Sequence, residues 1–394
     1  MKRTVCILLM AFAVCGGVFA QKTDEDYKKS GNAHFEKKDF DKAIADYTEA
    51  IKLNPSYTDA YYNRGLAYYN KKDFDKAIAD YTEAIKLNPS YVDAYYNRGL
   101  AYYNKKDYDK AIAEYTEAIK LNPSYATAYN GRGLAYFEKK DYDKTIADYT
   151  EAIKLNPSNS HVYYHNRGLA YYNKNDYDKA ITDYSEAIKL NPSYATAYYN
   201  RGLAYSNKKD YDKAIADFTE AIKLNPSYAT AYFYRGNAFF HKKDYDKAIT
   251  DYSETINLNP SYSNAYYNRG VAYRDKGDND KAIADFEAAL SINPDFAAAK
   301  ENIETVKNKA VLNFLYSGYM NVKNKDYDKA IADYTEAIKL NPNYIEAYDG
   351  RGFAYILKRD HGNAIKDYEA ILTIEPDNAV AKEGIAFVKR LRGY

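Results

Sequence analysis

Residues 58–91 read TDAYYNRGLAYYNKKDFDKAIADYTEAIKLNPSY, and residues 92–125 repeat them with three changes: Thr58 becomes Val92, Phe74 becomes Tyr108 and Asp80 becomes Glu114. Ala60, Tyr61, Gly65, Ala67 and Tyr68 recur at helical spacing, which predicts a first helix from about Asp59 to Asn70. Lys71, Lys72 and Asp73 interrupt it. Asp73 is placed to cap a second helix, and Asp75 falls in its first turn, where negative charge suits the helix dipole. In that helix Ala77, Ile78, Tyr81, Ala84, Ile85 and Leu87 form one apolar stripe, and Lys76, Asp80, Glu83 and Lys86 form a solvent face of alternating sign. Asn88 precedes Pro89, which biases it out of helix and stops the unit there. Gly65, in mid-helix, costs about 1 kcal/mol against alanine. Its recurrence in all ten units, from Gly31 to Gly352, implies a helix–helix approach too close for a β-carbon. The expected small partner across the pair is Ala77, replaced in one unit by Thr145.

The prolines carry this unit along the chain. They stand at 55, 89, 123, 157, 192, 226, 260, 294, 342 and 376, separated by 34 residues except for one interval of 35 and one of 48. A fixed period in this range is the mark of a repeat array. The 394 residues therefore form one solenoid, in one or two segments, rather than the two or three globular domains that the length alone suggests. The chain holds 49 tyrosines, 2 cysteines and no tryptophan, with 56 Lys+Arg against 55 Asp+Glu. A balance so near zero argues against a nucleic-acid partner. The 46% hydrophobic and 28% charged content fits neither a disordered chain nor a membrane bundle.

The order Tyr61, Gly65, Tyr68, Ala77, Tyr81, Ala84, Pro89 resembles the tetratricopeptide repeat, with Arg64 where the family has leucine and Tyr61 where it has tryptophan. The resemblance spans residues 24–378 apart from the inserts. It implies an all-α solenoid of antiparallel helix pairs forming a right-handed superhelix, with the first helices lining a concave groove. Eight repeats occupy 24–296, with one extra residue within Ser158-Asn159-Ser160. A 14-residue insert, AAAKENIETVKNKA at 297–310, precedes two further repeats at 311–378. The insert resembles the tail at 379–394, and both are read as capping helices, since terminal units need a polar outer face. The competing reading is one continuous array with an elongated helix at the ninth repeat.

Residues 1–20 have the form of a signal peptide: Lys2 and Arg3, an apolar run, then small residues before a cut after Ala20. That predicts an exported chain, periplasmic or secreted. Two alternatives are an N-terminal anchor, for which the run is short, and a lipoprotein anchored at Cys15. Cys6 and Cys15 are the only cysteines, so a chain cut after Ala20 has no disulfide, thiol nucleophile or cysteine metal site.

Catalytic motifs are not found. His161 and His165 have ligand-like spacing but lack a third partner, so no metal site, cofactor or enzyme activity is expected. Paired acids such as Asp73 and Asp75 repeat with the array and read as helix starts. Tyr61, Tyr68 and Tyr81 are assigned to the core. On a helical wheel Tyr62, Asn63 and Tyr69 turn away from the second helix, and in the family's geometry they line the groove. So do Tyr96, Asn97 and Tyr103 in the next repeat, and Asn166 and Tyr172, beside His165, in the fifth. Tyr199 and Asn200, Phe233 and Phe240, and Tyr267 and Asn268 continue the ladder, unless these rings pack against neighbouring repeats instead. A groove of aromatic faces and amides suits a non-catalytic scaffold that binds an extended peptide or protein segment. The alternative is a cell-envelope module that stacks its tyrosines on carbohydrate or peptidoglycan. The family's carboxylate-gripping lysine is replaced by Tyr62 and Tyr96, which argues against a carboxylate clamp.

Overall fold

The computed structural model describes residues 22–391 and residue 393. The signal-peptide and Cys15 readings lie outside the described residues. The chain divides into two compact units, 1–192 and 193–394. The first holds α1 (Asp24–Glu36), α2 (Phe40–Leu53), α3 (Thr58–Asn70), α4 (Phe74–Leu87), α5 (Val92–Asn104), α6 (Tyr108–Leu121), α7 (Ala126–Glu138), α8 (Tyr142–Leu155), α9 (His161–Asn173) and α10 (Tyr177–Leu190). The second holds α11 (Ala195–Asn207), α12 (Tyr211–Leu224), α13 (Ala229–His241), α14 (Tyr245–Leu258), α15 (Ser263–Lys276), α16 (Asn279–Ile292), α17 (Ala297–Lys323), α18 (Tyr327–Leu340), α19 (Ile345–Leu357), α20 (His361–Ile374) and α21 (Ala379–Leu391). There is no strand among the described residues. Each unit is a stack of antiparallel helix pairs, the all-α solenoid architecture, in which every pair packs on the next.

The local chemistry follows the sequence closely. Asp73 caps α4, accepting from the backbone N–H of Lys76 at 3.4 Å, and the equivalent aspartate opens each second helix from α2 to α20. The first helix ends in a Schellman turn: the N–H of Lys72 donates to Tyr69 O and that of Asp73 to Tyr68 O, both at 2.9 Å. Lys72 sits there at φ 63°, a left-handed conformation that glycine takes in the eighth repeat, where Gly277 has φ 90°. Asn88 is extended (φ −134°, ψ 92°) and ends α4 ahead of Pro89.

The core is one ring per repeat held in columns of alanine. Tyr47, Tyr81, Tyr115, Tyr149 and Tyr184 in the first unit are at most 1% exposed, and Phe218, Tyr252 and Phe286 repeat the position in the second. Burying each such ring is worth roughly 2–3 kcal/mol. The mid-helix glycine makes room for it. A β-carbon on Gly65 would stand 2.7 Å from Tyr81 Cε1, so the partner is the tyrosine ring and not Ala77 as expected. Thr145 is fully buried and donates its hydroxyl to the Asp141 carbonyl at 2.9 Å. Two other assignments change. Leu87 is 37% exposed, at the end of its helix. Tyr61 and Tyr68 are half-buried, lying under Arg64 (5.6 Å) and Lys76 (5.3 Å) as cation–π partners.

Residues 297–310 form a single 27-residue helix, α17, with the first helix of the ninth repeat. Its first half packs Ala299, Ile303 and Val306 on Phe286 of α16. Its second half packs Val311 and Leu315 on α18 and α19. The helix thus closes the eighth repeat and opens the ninth. At the chain end, α21 covers Tyr368 with Ala381 and Val388.

Candidate functional site

Consecutive first helices touch directly within each unit, α1 with α3, α3 with α5 and α13 with α15 among them. What sets their register is a polar spine. Arg64 Nε donates to Asp80 Oδ2 at 2.8 Å and Nη2 to Oδ1 at 2.7 Å, while Nη1 reaches back to Thr48 Oγ1 of the preceding repeat at 3.0 Å. Arg132, Arg269 and Arg351 repeat the arrangement with Asp148, Asp285 and Asp367. Asp80, placed on the solvent face by its spacing, is instead 6% exposed. Burial pushes its carboxyl above the usual range, and the Arg64 guanidinium opposes that rise. In the third repeat the longer Glu114 makes a single bond to Arg98 Nη2 at 2.8 Å, which leaves Arg98 Nε buried without a partner.

The residues expected in the groove are knitted into ladders that cross from repeat to repeat. Asn97 Nδ2 donates to Tyr62 Oη at 2.9 Å, and Asn104 Nδ2 to Tyr69 Oη at 2.8 Å. Tyr62 also packs against the rings of Tyr81 (5.9 Å) and Tyr91 (4.8 Å). Burial pushes its hydroxyl up to about 12, helped by the nearby Asp93 charge and opposed by the Asn97 bond. Tyr96 lies between Tyr115 and Tyr125, and Tyr103 against Tyr108. In the fifth repeat Tyr172 packs on Tyr177, and Asn166 Nδ2 donates to Tyr149 Oη at 3.3 Å. Tyr199 packs on Phe218, Tyr228 and Tyr234, and Asn200 is half-buried beside it. Phe233, 6% exposed, packs on Tyr252 and Tyr262. Tyr267 packs on Phe296 at 4.8 Å and accepts from Asn302 Nδ2 at 3.2 Å. These rings are therefore partly spent on holding repeats together, and their amide partners stand one repeat further along.

Open clefts recur in this row of first helices, one of them, of about 590 Å3, between α19 and α21 around Phe353, Ile356, Tyr368 and Phe387. Another, between α1 and α3, has a volume of about 230 Å3 and is lined by Asn32, Phe35, Glu36, Tyr47, Asn63 and Leu66. A third, between α13 and α15, is also about 230 Å3 and is lined by Asn237, Phe240, His241, Tyr252, Asn268 and Val271. Position by position the last two match. Of their lining residues, only Asn63, Asn268 and Phe240 were placed in the groove by the sequence. Asn32 and Asn237 were missed, although each stands where five of the ten repeats carry leucine.

The repeat unit capped by Asp73, stopped by Pro89 and filled by Tyr81 over Gly65 lies within a family-model match at 58–91. Models described as TPR repeat match residues 31–72, 168–209, 236–273 and 318–358. Models described as tetratricopeptide repeat match 58–91, 195–228 and 263–296, then 96–160 and 345–378. The chain belongs to the tetratricopeptide repeat family. Tetratricopeptide repeats mediate protein–protein interaction, bind other proteins or peptides, and are generally non-catalytic scaffolds. Among solved structures, MamA is 31% identical over 44% of this chain and 94% of its own, with a TM-score of 0.41. YrrB, described as a TPR protein with an unusual peptide-binding site, is 23% identical over 47% and 95%, with a TM-score of 0.42. A tetratricopeptide repeat protein from Parabacteroides merdae is 20% identical over 63% and 98%, with a TM-score of 0.48. No curated protein matches the chain.

His165 is 6% exposed, its ring 5.8 Å from that of Tyr184 and its Nδ1 3.2 Å from Asn166 Oδ1; burial pulls its pKa down. Among the described residues no three His, Cys, Asp or Glu side chains cluster to hold a metal ion. No helix there is long and apolar enough to cross a membrane.

Proposed function

We propose that this tetratricopeptide repeat chain is a scaffold whose first helices bind an extended segment of another protein. The observation that supports the reading is the Tyr–Asn ladder, Tyr62 to Asn97 and Tyr69 to Asn104, which fixes a row of amides and half-buried rings along consecutive first helices. Preorganised amides lower the entropy lost on binding, and an extended chain presents backbone donors and acceptors at regular spacing to meet them. With residues 1–20 acting as an export signal, the partner is a protein of the envelope or the exterior. Sugar stacking is less well served, because Tyr62 and Tyr96 each turn against two other rings.

Tyr62 and Tyr96 pack between repeats, so alanine there tests the fold as much as the groove. Leu66, Leu100 and Leu134 are half-buried on the first helices α3, α5 and α7 and serve better. The purified chain should capture a protein from an envelope extract, and a peptide mapped from that protein should bind by calorimetry. Changing the three leucines to lysine should weaken the peptide at least tenfold with the helical circular dichroism intact. An unchanged Kd sinks the groove reading, and a response to glycans but to no peptide replaces it with the carbohydrate one.

A further inference from the structure

We propose that the edge of the stack where each first helix turns into its second is a docking track for a linear phosphate polymer that carries no bases, held by one unpaired lysine per repeat. The edge lies past the ends of the first helices, and the inference is independent of the bound segment proposed above.

The observation begins in the backbone. One residue in each repeat sits in the left-handed region at this turn. Glycine and asparagine suit that conformation, and Gly277 and Asn175 supply them in the eighth and fifth repeats. The other eight repeats hold a cation there, against that preference. In the first unit these are Lys38, Lys72, Lys106 and Lys140, and in the second Lys209, Lys243, Lys325 and Arg359. Packing asks for no side chain at this corner either. A β-carbon on Gly277 would meet nothing within 4 Å, and the eight cations are all exposed. Charge is what the long side chain adds.

The protein does not spend that charge on itself. In residues 58–91, Arg64 pairs with Asp80, Lys76 with Asp73 and Lys86 with Glu83. Lys71 pairs with Asp41 behind it, Asp75 with Lys105 ahead, and Asp59 with Lys28. Lys72 alone of these charged groups forms no ion pair among the described residues, and Lys38, Lys106 and Lys140 form none either. The adjacent Asp39, Asp107 and Asp141 are occupied by their helix caps and by Lys42, Lys110 and Lys144. A chain of near-zero net charge thus carries a row of surplus cations on one edge. Lys71, Lys105 and Lys139 tie each turn to the one before, through Asp41, Asp75 and Asp109. Helices in contact lie roughly 8–10 Å apart, and that sets the interval between successive lysines, about one Debye length at physiological salt.

The chemistry narrows the ligand. Lysine is a compact point charge on a flexible stem, suited to phosphates that arrive without fixed register, whereas arginine's fork demands a set geometry. Single-stranded nucleic acid gains much of its affinity from base stacking, but the rings at the turn are taken: Tyr69 packs on Phe74 at 5.5 Å, and Tyr68 lies under Lys76 at 5.3 Å. A flat anionic bilayer would also face Asp41, Asp75 and Asp109, whose side chains are 80% exposed beside the row. It would find no apolar anchor, because the exposed Leu53, Leu87 and Leu121 end second helices, at the other edge. A thin polymer can follow the lysines alone.

The test titrates fluorescein-labelled inorganic polyphosphate onto the full chain across a salt series, read by anisotropy. Saturable binding is expected, with log K falling against log salt at a slope of about −3 if four lysines engage. Tripolyphosphate, too short to span the row, should bind at least tenfold more weakly. Lys38→Gly with Lys72→Gly, Lys106→Gly and Lys140→Gly should weaken polyphosphate at least tenfold and flatten the slope. Glycine is native to this position in the eighth repeat, so the urea midpoint should not fall. Changing the paired Lys52, Lys86, Lys120 and Lys154 to glutamine removes as many charges elsewhere and should leave binding within twofold, and Asn175→Lys should tighten it. The assignment is overturned if the glycine variant binds as well as the parent, if the glutamine variant loses as much, or if tripolyphosphate binds equally. Tighter binding of single-stranded DNA, polyglutamate or phosphatidylglycerol vesicles than of polyphosphate overturns it as well.

Discussion

An interior repeat and a starting repeat solve the same packing problem with different residues. The second repeat has one behind it. Its Ala60 and Ala67 are fully buried, and Arg64 ties Asp80 to Thr48 across the boundary. The ninth repeat begins halfway along α17, and its equivalents of those alanines, Asn313 and Met320, are exposed. The arginine is gone as well. Ser317 Oγ donates to Asp333 Oδ2 at 2.7 Å and Asn321 Nδ2 to the same oxygen at 2.8 Å. The first repeat does likewise, with Ser30 at that position and His34 beside Asp46 at 2.8 Å. Arginine is placed where a hydroxyl of a preceding repeat can receive its third arm. It belongs to the joint between repeats more than to the repeat itself.

Alkaline pH should have the largest effect, and on interior and starting repeats alike, because burial also raises the hydroxyls of Tyr47 and Tyr334. Burial raises the hydroxyls of Tyr62, Tyr81, Tyr115 and Tyr184 above the ordinary value of 10.0. The folded chain keeps protons that the unfolded chain releases, so this stability is whole below about pH 10 and is lost as pH rises through the folded values. Tyrosinate absorbance and loss of helical circular dichroism should appear together in both kinds of repeat. Ionisation with the helices intact would show that the hydroxyls are not held. Breaking one joint comes next. Arg132→Ala leaves Asp148 buried and unpaired and should cost about 3–5 kcal/mol in urea unfolding of the first unit, whereas Ser317→Ala in the ninth repeat should cost about 1 kcal/mol. Equal losses would remove the distinction. Gly65→Ala drives a methyl into the Tyr81 ring and should cost about 1–3 kcal/mol beyond any helix-propensity gain. The smallest effect is a gain. Glu114→Asp should restore the two-bond fork to Arg98 and stabilise the third repeat by about 1 kcal/mol, read by hydrogen exchange of α6.

Helix bounds, caps and stops were legible in the sequence because each depends on near neighbours: Asp73 on Lys76, Asn88 on Pro89. Asp80 was misplaced because its burial is decided elsewhere. Spacing sets it beside Lys76 and Glu83, but the groups that cover and pair it are Arg64, on another helix, and through it Thr48, in another repeat. A signal was present all the same. Arginine replaces the family's leucine at that position in eight repeats and gives way to serine at 30 and 317. The candidate site was legible in outline only. Helical phase sets Tyr62 and Tyr69 on one side of their helix, yet it cannot show that Asn97 and Asn104 occupy their hydroxyls. Asn32 and Asn237 escaped because a single Leu-to-Asn change looks like drift until its two partners, a tyrosine and an asparagine, are seen with it.

Contacts at fixed offsets have a genetic consequence. Many of the joints run between residues 16, 30 or 35 positions apart, as in Arg64 to Thr48, Lys71 to Asp41 and Asn97 to Tyr62. Excising residues 58–91 from the gene would bring Asn97 to Asn32, Arg98 to Thr48 and Lys105 to Asp41, the same chemistry at each meeting. Near-identical coding segments invite such slips during replication, and this chain is built to survive them. The array can then grow or shrink by whole repeats while the starting repeats, with Ser30 and Ser317, stay in place.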